Sequence, residues 1–126
     1  MDEELRTVAM AFALHTSRAI VQADGKTEHA EFRLLGTVFP RAMLRDAGLI
    51  DEHGDETAAY ATALNRVPEL RELPEAQRLD LVALLHAAAV ADDHLDRREW
   101  NVLVVACEQI GLTAADLLDR IRLDEP

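Results

Sequence analysis

Glycine, proline and aromatic residues are all scarce: five glycines, four prolines and 4% Phe, Trp and Tyr together. With so few turn formers and no Asn-Gly pair, a hairpin-rich sheet protein is excluded. Because 49% of the residues are nonetheless apolar, Ala and Leu must fill the interior, and that favours closely packed helices. Cysteine is nearly absent as well. The lone Cys107 rules out a disulfide within the chain and points to a reducing compartment. No basic stretch followed by an apolar one opens the sequence, so no secretory signal is expected. The longest apolar run, LVALLHAAAVA at residues 81–91, is too short to span a bilayer and carries His86. Positive charge is also in deficit. A formal net charge of −11 excludes a nucleic-acid binder, which needs a basic face, and simple attraction to anionic lipid. These absences predict an all-α cytoplasmic protein with no direct membrane insertion, and 126 residues suit a single domain.

The apolar periodicity predicts about seven helices. Leu5, Val8, Ala9, Phe12, Ala13, Thr16, Ala19, Ile20 and Ala23 recur at spacings of three and four, one face of a helix over residues 3–22 that stops at Asp24-Gly25. A second helix is expected from Thr27 or Glu28 to just before Pro40. A short third, RAMLRDAGL, is closed by Gly48. After the polar loop DEHGDE comes a helix at residues 57–65, then a connector broken by Pro68 and Pro74. Residues 75–91 are the most apolar helix, with Leu79, Leu81, Val82, Leu84, Leu85, Ala88 and Ala89 covering more than half its circumference; it is expected to be central and buried on most sides. A helix from Asp96 or Arg97 to Ile110 ends at Gly111, with Leu112 packing back. Thr113 opens the last helix, with Asp116 as its capping-box acid.

One pattern occurs twice. ADGKTEHAEF (residues 23–32) and ADDHLDRREW (residues 91–100) share Ala-Asp at the start and an acid at the sixth position, Glu28 and Asp96. They also share Glu at the ninth, Glu31 and Glu99, and an aromatic at the tenth, Phe32 and Trp100. The chain thus reads as two helix-corner-helix units, which commonly pack with approximate two-fold symmetry and would bring the corners near each other.

Helix capping explains part of this pattern. Asp96 suits an N-cap with Glu99 reaching back, and Thr27 or Glu28 with Glu31 would do the same in the first copy. Capping does not explain Asp24 and Asp92. They close their incoming helices, where a negative charge meets the negative end of the macrodipole at a cost of roughly a few tenths to 1 kcal/mol. Asp92, Asp93, Asp96 and Glu99 crowd into eight residues and repel one another, while Lys26, Arg97 and Arg98 offset only part of that repulsion. Carboxylates gathered on a tight loop are the ligands of hard divalent cations, Ca²⁺ or Mg²⁺. The candidate metal ligands are therefore Asp24, Glu28, Glu31, Asp92, Asp96 and Glu99, with His29 and His94 able to shift the preference towards a transition metal. An EF-hand is excluded. Its twelfth position needs a bidentate Glu, but counting from Asp24, Asp92 or Asp51 reaches Leu35, Leu103 or Thr62.

The ADGKTEHAEF corner, the ADDHLDRREW corner and the ending EQIGL resemble the tellurite-resistance protein TerB family, and through it the N-terminal region of some membrane-anchored J-domain co-chaperones. The resemblance covers most of the chain. It implies an all-helical domain with an internal repeat, metal chelation at Asp24, Glu31, Asp92 and Glu99, and a role in bacterial tellurite and general stress response as an interaction module. In the second corner Asp93 and His94 stand where the first has Gly25 and Lys26, a departure from glycine that is expected to alter the bend.

The remaining candidates point to packing. Val104, Val105 and Ile110 around Cys107 predict a buried, inert thiol. His15 and His86 lie on apolar helical stretches as core or boundary residues, and His53 sits on a solvated loop. No Walker loop, GxGxxG or GxSxG is present. The leading expectation is a non-enzymatic module that binds a divalent cation, a protein partner or both through its acidic corners. The alternatives are a metal-free protein scaffold and a metal-dependent hydrolase, in which Asp24 and Glu99 would face each other as paired acids.

Overall fold

The computed structural model describes residues 2–24, 39–90 and 97–124. Among these, six α-helices and one 3-10 helix follow in order: α1 (Glu3–Asp24), α2 (Arg41–Asp46), α3 (Ala58–Leu64), the 3-10 helix (Val67–Glu72), α4 (Glu75–Val90), α5 (Arg97–Gln109) and α6 (Ala114–Asp124). The one β pairing among the described residues is an isolated antiparallel bridge between Ile50 and Glu56. The fold is all-α. The helix expected before Pro40 and most of both corners lie outside the described residues.

Local chemistry sets the helix ends. The Asp2 carboxylate accepts from the Leu5 amide at 2.7 Å, and Glu3 and Glu4 place negative charge in the first turn of α1, where the macrodipole favours it. Thr57 caps α3 by accepting from the Tyr60 amide at 3.3 Å, while its hydroxyl donates to the Gly48 carbonyl. At the start of α6, Thr113 and Asp116 exchange side-chain-to-amide bonds of 2.8 and 3.1 Å, the reciprocal capping box read from the sequence. Both α2 and α5 stop in the same way. Gly48 and Gly111 turn left-handed, with φ of +80° and +77°. The next amide then reaches back over the turn, Leu49 to the Leu44 carbonyl at 3.0 Å and Leu112 to the Cys107 carbonyl at 2.8 Å.

The connector at Val67–Glu72 has helical structure of its own. Pro68 sits where a missing amide costs nothing, and Val67 and Leu70 turn inward. The DEHGDE loop is closed on itself. The Asp51 carboxylate accepts from the amides of His53 and Asp55 at 2.8 and 3.0 Å, and these bonds hold it below its ordinary pKa, the Asp55 amide foremost.

The central helix is α1, not α4. Every residue from Val8 to Leu14 is buried, so this stretch is enclosed all round and not along a single face. Ala9, Ala11 and Ala13 keep it slim, and α5, α3, the 3-10 helix and α4 all pack against it. On α4 the buried side chains are Leu81, Val82, Leu85, Ala88 and Ala89, whereas Leu84 is 49% exposed. Periodicity measures how apolar a helix is all round, but the number of neighbours decides how much of it is covered. One cluster of buried apolar side chains draws on every described helix, from Val8 on α1 to Leu117 on α6.

Candidate functional site

The six candidate carboxylates are spread over two helix ends and two corners. Asp24 is the last residue of α1. Glu28 and Glu31 of the first corner, and Asp92 and Asp96 of the second, lie outside the described residues, together with His29 and His94. Glu99 stands in the first turn of α5 and is only 2% exposed. Its neighbours Arg97 and Arg98 are exposed, and Trp100 is half-buried against the core.

The 3-10 helix establishes how α1 and α5 run. Arg66, just before it, reaches Glu4 at the start of α1 at 3.5 Å. Arg71, within it, donates to the carbonyls of Gln109 and Glu108 at the end of α5, at 3.2 and 3.3 Å. The end of α5 therefore lies towards the beginning of α1, and the two packed helices run antiparallel. Their other ends, Asp24 of α1 and Arg97 of α5, consequently share the opposite end of the bundle. From these two ends the chain enters the first corner and leaves the second.

Arg71 and Arg78 were not singled out in the sequence, although they hold α5 in position. Arg78 donates to the carbonyls of Ile110 and Gly111 at 3.0 and 3.3 Å and to that of Leu73 at 3.0 Å. Together the two guanidiniums collect carbonyl groups at the last turn of α5, where cations also meet the negative end of the macrodipole. The sequence carries no local signal for this, because the partners are more than thirty residues away. A further tie, Arg18 to Glu56 with the guanidinium 5.7 Å from the centre of the Tyr60 ring, fastens the end of the DEHGDE loop to α1.

At the corner end, α4 touches α5 through an edge-to-face pair. The rings of His86 and Trp100 lie 6.2 Å apart at 88°. Burial lowers the pKa of His86, which favours the neutral imidazole. His15, expected in or near the core, is exposed and lines a groove of about 250 Å³ between α1 and α5 with Thr16, Ala19, Val102 and Val105 among others. His53 is exposed, as expected.

Cys107 is fully buried. Desolvation, reinforced by the nearby carboxylates of Asp116 and Glu108, pushes its thiol up to about 11, far from the thiolate that a nucleophile or ligand requires. Val105, two residues before it, is 53% exposed, because it faces the groove. Among the described residues no group of three or more His, Cys, Asp or Glu is arranged to hold a metal ion. No single helix among them is long and apolar enough to cross a membrane.

Comparison with curated proteins and with solved structures returned no match. A family model described as tellurite resistance protein TerB matches residues 19–123, a span that runs from the last part of α1 through both corners to the penultimate residue of α6, and this chain belongs to that family.

Proposed function

We propose that this chain acts, as one TerB-like unit over residues 1–126, as a non-enzymatic module of the tellurite and general stress response. It holds a divalent cation, Ca²⁺ or Mg²⁺, between its two acidic corners and presents that end of the bundle to a protein partner. The ligands are drawn from Asp24, Glu28, Glu31, Asp92, Asp96 and Glu99. The observation that carries this reading is the antiparallel packing of α1 and α5, which brings the end of one corner-bearing helix and the start of the other to the same end of the bundle. A carboxylate donor set has the chemistry of a hard-cation site.

Titration calorimetry with Ca²⁺, Mg²⁺, Mn²⁺ and Zn²⁺ tests the reading. Binding at millimolar or better affinity is expected for Ca²⁺ or Mg²⁺, and Asp24→Asn and Asp92→Asn should each weaken it at least tenfold while leaving the helical circular dichroism unchanged. A flat titration of the folded protein with all four ions would overturn the cation site and leave a metal-free interaction scaffold.

A further inference from the structure

We draw no further inference here: the strongest candidate, the apolar groove between α1 and α5 lined by His15, Ala19, Val102 and the exposed Val105, carries nothing because nothing in the structure shows what covers it.

Discussion

The titratable side chains of the core report on their surroundings. Cys107 has its ordinary value of 9.0 raised to about 11 by burial and by adjacent carboxylates, so the native protein keeps a neutral thiol at any physiological pH. Iodoacetamide at pH 8 should leave the folded protein unmodified and alkylate it fully in concentrated urea; fast labelling of the native state would contradict the burial. His86 acts in the opposite direction. Its folded value lies below the ordinary 6.5 because of desolvation, so the unfolded chain binds the proton more readily. The stability linked to this group is present above pH 6.5 and is lost as the pH falls through the lowered folded value. Between pH 7.5 and 5.5 the Tm of the native sequence should therefore drop further than that of His86→Gln. Parallel curves for the two proteins would remove His86 from the account.

At the scale of the helices, two left-handed glycines make a controlled comparison. Gly48 and Gly111 end α2 and α5 with the same bond pattern and nearly the same φ, and placing alanine at either costs about 1–2 kcal/mol in backbone strain. Their surroundings differ. A Cβ at Gly48 meets nothing within 4 Å, whereas one at Gly111 would come within 3.1 Å of Arg78 Nη1 and 3.3 Å of Arg71 Cγ. Both arginines are held by carbonyls of the same turn, so making room disturbs hydrogen bonds of about 1 kcal/mol each. Urea denaturation should show Gly111→Ala to be the more damaging by about 1 kcal/mol or more. Equal losses would mean that the two arginines yield freely and do not fasten α5.

The whole molecule is organised around one enclosed helix. Leu14 on α1 is fully buried and Leu84 on α4 is 49% exposed, although the sequence presents Leu84 within the most apolar helix. Leu14→Ala should cost about 2–5 kcal/mol, as large cavities in a core do, and Leu84→Ala less than about 1 kcal/mol, because half its surface already meets water. Chemical unfolding of the two variants measures the difference, and a reversed order would restore α4 as the centre. Much of this architecture could be read in advance. The all-α class, the starts of α1, α3 and α6, the capping pair Thr113–Asp116 and the burial of Cys107 were legible. Less of the candidate site was legible. The duplicated acids could be found by comparing residues 23–32 with 91–100, but neither the burial of Glu99 nor the exposure of His15 and Val105 has a marker in a helical repeat.

The division follows from the range of the forces involved. A cap or a glycine turn is completed by atoms no more than five residues apart, as between Asp2 and Leu5 or Leu112 and Cys107, so the residues themselves determined where helices begin and end. Tertiary packing decided which helix is enclosed, because burial depends on how many neighbours surround it, and α1 has α3, the 3-10 helix, α4 and α5. Packing also decided that α1 and α5 run antiparallel, through contacts such as Arg66 with Glu4 and Arg71 with Gln109 that join distant parts of the chain. No local propensity encodes those partnerships; they exist only once the apolar faces have chosen one another.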